Sequence, residues 1–406
     1  MNRPKAVVEA VMRVRALAFL ALSLLGIGAS ASTVPPPTKV PIPLTVVQEA
    51  QLKEGVTLHD SARYGDAVAV YEAILQENPD AAQVLLEACL SRLAMKNYQG
   101  ALADALRGAQ FTSPWLGRFY TIAGESYDQM GQPEEAVPQF EAAVRVEPDN
   151  FTAYYELGVT LASLKRMAEA REALKASVAL APDEPDPNYA LGRVFGAEGY
   201  RVPAVLALFR FLVLEPDSDR SREALRMVGQ SLDSLRGHPA AGELAAGQGD
   251  VSEGDYTAVA GAVTQAWTGA LDETAVNDWS RLVSTIGALF SRVGQGDPAW
   301  RSTFVGRFYG PYFAAVAAQK FTPPFCAHVF RASNNDSVEA YLKGNGERVG
   351  AFLAWSDNYR WPRPETQIGH SQTPRAKSAP KGQAKTGAAG APAKTAAGKP
   401  AVPAPR

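Results

Sequence analysis

The chain has 406 residues, a formal net charge of −2, 46% hydrophobic residues and two cysteines. That length supports more than one core, and the near-neutral balance gives no general attraction to nucleic acid. The charge is unevenly placed, however. No acidic residue follows Glu365, and Arg375, Lys377, Lys381, Lys385, Lys394, Lys399 and Arg406 give that tail +7, leaving −9 for the rest.

In chain order, Arg13 and Arg15 precede an apolar run over 16–28, and Ala29-Ser30-Ala31 offers the small-x-small site of signal cleavage. Residues 1–31 are therefore expected to be a signal peptide cleaved near Ala31, with export to the periplasm or beyond. An uncleaved anchor is the alternative, but thirteen apolar residues are short for a bilayer. Met12 offers a tidier start than Met1. No cysteine follows the run, which excludes a lipid-anchored cysteine. Residues 32–47, containing "VPPPTKVPIP", form an extended, proline-stiffened leader.

From residue 48 to 218 the sequence repeats itself. Gly55, Cys89, Gly124, Gly158 and Gly192 recur at intervals of 34, 35, 34 and 34. Stepping back five, eight and twelve residues from Pro148 reaches Ala143, Phe140 and Ala136. The same steps from Pro182 reach Ser177, Leu174 and Ala170, from Pro216 they reach Phe211, Leu208 and Ala204, and from Pro79 they reach Ile74, Tyr71 and Ala67. A further copy, Ala101, Ala105 and Gly108, carries one extra residue before Pro114. Such a period predicts stacked helical hairpins that share a continuous core. Their turns are expected at Gly65-Asp66, Lys96-Asn97, Gly131-Gln132, Lys165-Arg166 and Gly199-Tyr200. Pro148 closes a unit and Pro133 occupies a first helical turn. Pro138 has no counterpart in the other units and predicts a kink or a late helix start.

This pattern of a bulky residue, Leu-Gly, a second bulky residue, a small Ala, an aromatic or Leu and a closing Pro resembles the tetratricopeptide repeat family. Five copies fill 48–218, the first two departing from it at Gln51, Glu54 and Arg92. The resemblance implies an all-α, right-handed superhelix whose first helices line a concave groove that binds other proteins. Carried over residue by residue, it places Arg118, Thr121 and Glu125 in the groove from copy three, Tyr155 and Val159 from copy four, and Tyr189 and Arg193 from copy five. The Lys/Asn set of the family's carboxylate-clamp members is missing. A peptide or helix held by aromatic stacking and an Arg contact is the sharper reading. The alternative is that these are ordinary inter-helix and surface residues.

Residues 219–237 read as a capping helix, with Leu225, Val228, Leu232 and Leu235 on one stripe and Ser218 or Asp219 as N-cap. Residues 238–255 have linker composition. Residues 256–363 hold eighteen of the thirty-six aromatics and five of six tryptophans, which predicts a second, aromatic-rich and mainly helical domain with its own core. Val276, Trp279, Val283, Ile286, Phe290 and Val293 trace one helix face, and Trp300, Phe304 and Phe308 another that ends near Gly310-Pro311. Asp336 with Glu339 resembles a capping box, and the helical period favours two helices over a hairpin at Asn345-Gly346. Residues 364–406, rich in Ala, Pro, Lys and Gly, have a disordered tail's composition, whose basic charge suits an anionic envelope polymer or lipid surface.

No motif for catalysis, metal or cofactor emerges, and the four histidines are scattered. Cys326 and His328 lie two apart in an apolar context, which reads as core. Cys89 reads as a small core residue, and its distance from Cys326 argues against a bridge. The sequence therefore predicts a non-catalytic, protein-binding scaffold of the cell envelope, serving assembly of an envelope, secretion or pilus complex, with no cofactor and no nucleic-acid partner. The alternative is an enzyme housed in 256–363, with the repeats recruiting substrate.

Overall fold

The structure is a computed structural model that describes residues 34–236, 253–254, 256–269, 278–295 and 298–362. The segment expected to be a signal peptide, the basic tail and most of the segment expected to be a linker lie outside the described residues. Within them the chain is helical, with no strand beyond an isolated bridge between Lys39 and Phe111.

Five hairpins follow one another: α1 (Val46–Asp60) with α2 (Tyr64–Glu77), α3 (Ala82–Ala94) with α4 (Tyr98–Gly108), α5 (Leu116–Gln129) with α6 (Pro133–Val146), α7 (Phe151–Ser163) with α8 (Met167–Leu180), and α9 (Pro185–Ala197) with α10 (Arg201–Leu214). Each second helix packs on the next first helix, so the units stack as the period requires.

Every hairpin turns the same way. Ala62, Lys96, Gly131, Lys165 and Gly199 all adopt left-handed φ between 59° and 83°. At each, the next residue's N–H reaches back to close the helix end: Arg63 to Leu58, Asn97 to Arg92, Gln132 to Tyr127, Arg166 to Leu161 and Tyr200 to Phe195, all at 2.8–3.0 Å. Four turns lie where the sequence places them. The first lies at 61–63 instead of Gly65-Asp66, because Gly65 and Asp66 are already in the first turn of α2. Glycine is absent from three of the five left-handed sites, so each of those stores strain.

The recurrent small position faces the bulky one within its own hairpin. A Cβ on Gly124 would lie 2.7 Å from the Phe140 ring, on Gly158 2.5 Å from Leu174, and on Gly192 2.7 Å from Leu208. Gly55 stands against Tyr71 in the same manner. The second unit reverses the sizes, with Cys89 at the glycine position and Ala105 at the bulky one. Both are fully buried. Gly108 of that unit receives Phe119 from the following one.

Pro138 does not delay its helix, since α6 runs without interruption from Pro133 to Val146. The N–H it lacks would have bonded the carbonyl of Glu134, an exposed residue of the first turn where the chain stays open to solvent.

The proline-rich leader is a strap. The N–H groups of Thr38 and Lys39 both donate to Gln110 O, Thr112 N–H donates to Lys39 O, and Ile42 N–H donates to Asp80 O, at 2.8–3.0 Å. Asn78 Nδ2 donates to Pro43 O, Tyr120 Oη to Pro35 O, and the Lys39 ammonium lies 5.5 Å from the Phe111 ring centroid. The loops after the first and second units and the first helix of the third are thereby tied to one segment.

After the repeats, α11 (Asp219–Arg236) starts on Ser218, whose Oγ accepts from Ser221 N–H at 3.1 Å. Then come α12 (Thr257–Gly269), α13 (Asp278–Gln295), α14 (Pro298–Arg301), α15 (Phe304–Ala318), α16 (Thr322–Val329), a short 3-10 turn (Arg331–Ser333), α17 (Asp336–Gly344) and α18 (Gly346–Asp357). The helical reading of 336–357 holds, with the cap one residue earlier than expected: Asn335 Oδ1 accepts from Ser337 and Val338 N–H. The helix carrying Phe304 and Phe308 does not stop at Gly310-Pro311, and Trp300 sits on the separate α14. Pro311 is tolerated because it is exposed while Tyr309, Tyr312 and Phe313 beside it are buried. Tertiary burial outweighs one missing bond on the wet side of the helix.

The expected separate aromatic core is not separate. The residues from Val202 to Val213 of α10 are buried all round, and Phe209 meets Phe290, Phe313 and Phe325 with ring centroids 5.3–6.4 Å apart. One hydrophobic core runs from Ala82 to Phe352. Polar contacts reinforce it. Arg210, 2% exposed, donates to Asp183 (2.6 Å), Pro182 O and Ser356, and its guanidinium stacks near the Tyr312 and Trp361 rings. Tyr309 Oη donates to Asn188 Oδ1 at 2.7 Å. Glu253, just before α12, is buried against Arg171 (3.0 Å) and Lys175 of α8.

Candidate functional site

The seven groove residues named from the sequence all lie on first helices. Arg118, Thr121 and Glu125 share one face of α5, since residues three and four apart are helical neighbours. Tyr155 and Val159 do so on α7, and Tyr189 and Arg193 on α9. The first helices of successive units also touch one another directly, which makes this face continuous along the array.

Contacts between equivalent positions demonstrate the continuity. His59 Nδ1 and Ser91 Oγ are hydrogen-bonded at 2.8 Å between α1 and α3, and Thr160 Oγ1 donates to Asp128 at 3.4 Å between α7 and α5. Asp186 pairs with Arg220 at 2.6 Å between α9 and α11. The second and third units lack the equivalent bond. Leu93 stands where His59 and Asp128 stand, so the fully buried Ser126 hydroxyl has no partner among the described residues.

The structure divides the seven residues. Arg118 is exposed, and Thr121, Glu125, Tyr155 and Val159 are half-buried. Thr121 Oγ1 donates to its own helix at Gly117 O. Arg118 lies within electrostatic reach of Glu87 on α3. Burial pushes the Glu87 carboxyl above its ordinary range, and the charges of Arg118 and His59 oppose that rise.

Tyr189 is only 8% exposed and is committed inside the protein. Its ring centroid lies 4.8 Å from that of Phe211, and the guanidiniums of Arg193 and Arg220 each stand 5.7 Å away. Burial pushes its hydroxyl up to about 12, with the bond to Glu223 adding to the rise. Tyr189 thus closes one end of the face, with the half-buried Arg193 beside its ring, while Arg118 to Val159 form its open part. The sequence reading missed Arg220 and Glu223, although continuing the 34-residue step from Asp186 and Tyr189 reaches both.

Elsewhere, Cys89 and Cys326 are free and fully buried, and burial pushes both thiols well above their ordinary range. His328 Nε2 donates to Val213 O at 3.0 Å, and burial pushes its imidazole below the usual histidine range. Such a pair holds neither a thiolate nor an accessible base. Among the described residues no group of His, Cys, Asp or Glu is arranged to hold a metal ion, and no helix is long and apolar enough to cross a membrane.

Repeated helical hairpins with a continuous first-helix face define a helical repeat solenoid. The family model of the tetratricopeptide repeat matches residues 52–114 and 123–185, and those segments are tetratricopeptide repeats. No family model matches the helices that follow, and no curated protein matches the chain. Among solved structures, YrrB, described as a TPR protein with an unusual peptide-binding site, is 20% identical, covering 43% of this chain and 90% of its own at a TM-score of 0.38. TTC0263, a thermophilic TPR protein of Thermus thermophilus, is 22% identical over 46% of this chain and 98% of its own, at 0.36. PilF of Pseudomonas aeruginosa is 16% identical over 47% and 90%, at 0.40.

Proposed function

We propose that the chain is a non-catalytic scaffold that holds a peptide or helix of a partner protein against the first-helix face, within the cell envelope. Tetratricopeptide repeats are protein-interaction modules, and among the described residues of the C-terminal helices no convergent polar group points to chemistry. The observation that carries the reading is the face of α5 and α7, where Arg118 is exposed and Thr121, Glu125, Tyr155 and Val159 are half-buried, while Tyr189 on α9 is buried. A half-buried tyrosine supplies a flat apolar surface with a polar tip, and Arg118 supplies a cation for an acidic group or an aromatic ring.

The envelope location rests on the signal-like N-terminus. Assembly of an envelope, secretion or pilus complex is the process such a scaffold fits. The +7 tail adds a place for an anionic polymer or lipid surface.

Capture of partners from native cells tests the groove, comparing the wild-type chain with Tyr155→Ala/Arg118→Ala. We expect the principal partner to be lost from the double variant at unchanged helix content. Equal recovery of every partner sinks the proposal. The rival enzyme reading is tested on the whole chain, because helices 257–357 share their core with the repeats. Turnover by any member of a broad substrate panel overturns the scaffold.

A further inference from the structure

Beyond the repeats, α11 forms one wall of a cleft whose other wall is the turn at 330–334. It is a shallow cleft of about 870 Å³, open to solvent along one side. The second wall belongs to the C-terminal helices, so the cleft is distinct from the open α5 and α7 face, although Arg220 and Glu223 border both it and the closed end of the groove.

Most of its charges are already matched. Arg222 pairs with Asp219, Arg220 is held by Asp186 and Glu215, and Glu223 takes the Tyr189 hydroxyl. Arg226, one turn along from Arg222, is exposed and makes no ion pair or hydrogen bond to any described residue. Opposite it, Asn334 adopts the left-handed conformation (φ 52°, ψ 40°) directly after the 3-10 turn. A right-handed residue followed by a left-handed one turns successive N–H groups to one side, a concavity that suits an anion. Ser333 N–H is spent on Phe330 O, whereas the N–H of Asn334 meets no acceptor among the described residues. Leu225 and Phe330, both half-buried, give the cleft an apolar floor.

We propose that this cleft binds a small organic monoanion, a carboxylate on an apolar aryl or alkyl group. The carboxylate meets the Arg226 guanidinium and the Asn334 N–H, and the apolar part rests on Leu225 and Phe330. The charge count selects one negative charge over two. Arg220 and Arg222 are each held by carboxylates, so Arg226 is the one arginine of the lining left to a ligand, a single positive charge that a carboxylate neutralises and a phosphate dianion exceeds.

The test is calorimetric titration of the full chain with 4-phenylbutyrate, 4-phenylbutyramide, phenyl phosphate and the peptides Gly-Gly-Phe and Gly-Gly-Phe-amide. We expect saturable binding of the butyrate and weaker binding of its amide and of the phosphate. Arg226→Gln should weaken the butyrate about tenfold or more, as loss of a charge-assisted bond does. Arg226→Lys should recover part of that loss, and the melting temperature of both variants should stay unchanged. Binding of the tripeptide acid alone supports the site with a chain terminus as its source, and binding of the butyrate supports it with a free acid. No saturable binding of either acid overturns the proposal. So does equal binding of acid and amide, tighter binding of phosphate, or an Arg226→Gln affinity equal to wild type.

Discussion

The pairing of Gly124 with Phe140 makes the sharpest test of how each unit is built. A methyl group on Gly124 would sit 2.7 Å from a fully buried ring, against the 3.5–4.0 Å that carbon atoms prefer. Overpacking of that kind costs about 1–3 kcal/mol, while replacing a mid-helix glycine returns about 1 kcal/mol of helix propensity. Gly124→Ala should therefore lose up to about 2 kcal/mol net. Phe140→Ala alone opens a cavity and should cost about 3–5 kcal/mol.

The second unit supplies the compensating pair, Cys89 with Ala105. Gly124→Cys/Phe140→Ala transplants it into the third. If the two positions exchange volume, the double variant must be less damaging than the sum of its singles by at least about 1 kcal/mol. Melting followed by circular dichroism at 222 nm reads this as a recovery of about 2–4 °C per kcal/mol. A double variant as unstable as the sum refutes the size exchange, and leaves the second unit as merely a poor copy.

Further expectations follow from strain, burial and charge. Lys96→Gly and Lys165→Gly should each stabilise by about 1 kcal/mol, since a side chain in the left-handed region costs about 1–2 kcal/mol and glycine's extra unfolded freedom takes back part of it. A lowered melting temperature in both would contradict the turn geometry. Ser126→Ala should be neutral or stabilising, because it removes a buried hydroxyl without a partner, whereas Ser91→Ala should destabilise by about 1 kcal/mol. Glu141 is buried, and burial raises its carboxyl above the ordinary range, with Arg166 and Arg145 opposing. Protonation thus favours the folded state, and that contribution is lost as pH rises through the raised value. Glu141→Gln should accordingly gain stability at pH 7 but not at pH 4, as compared by denaturant titration. Arg210→Met should cost about 2–3 kcal/mol, because hydrogen bonds from a charged donor are worth about 1.5–3 kcal/mol and Asp183, 70% exposed, is rehydrated. Arg210→Lys should not restore the loss, for an ammonium cannot reproduce the flat three-way fork.

Local rules made the repeats readable, and long-range packing hid the rest. Recurring glycines, bulky partners and closing prolines act within one hairpin, so their spacing shows in the sequence. The first turn was placed at Gly65 because glycine is the usual signal, yet Ala62 takes the left-handed position when the helix ends demand it. Pro311 reads as a stop only if its helix is judged alone, since nothing nearby in sequence reveals that three adjacent aromatics are buried. The strap was legible as extended but not as bound, because its acceptors lie about 70 residues away at Gln110. One signal for the shared core was present and unused. "VPAVLALFRFLV" in α10 is apolar on every side but for Arg210, and a helix of that composition must be covered on both faces. The open part of the candidate groove was legible from the register. The closed part was not, because it depends on Arg220 and Glu223 of a helix that looks like a mere lid.

The two ends of the array bear on how it can bind. An open solenoid flexes at each interface between units, because a unit contacts only its neighbours. Here the strap ties three consecutive units at one end, and the C-terminal helices cement α8, α9 and α10 at the other through Glu253, Tyr309 and Arg210. The α5 and α7 face spans the junction of the two braced segments, with α5 tied by the strap and α7's partner α8 held by Glu253, so its curvature is set before any partner arrives. A preformed groove loses little ordering entropy on binding and favours a partner whose own shape is fixed, such as a helix, over one that must reshape the array. Loosening the brace should therefore weaken binding without touching the groove. Lys39→Ala removes the ammonium over Phe111, and truncation to residue 44 removes the whole strap. Partner affinity that survives both unchanged would show that the braces serve stability alone.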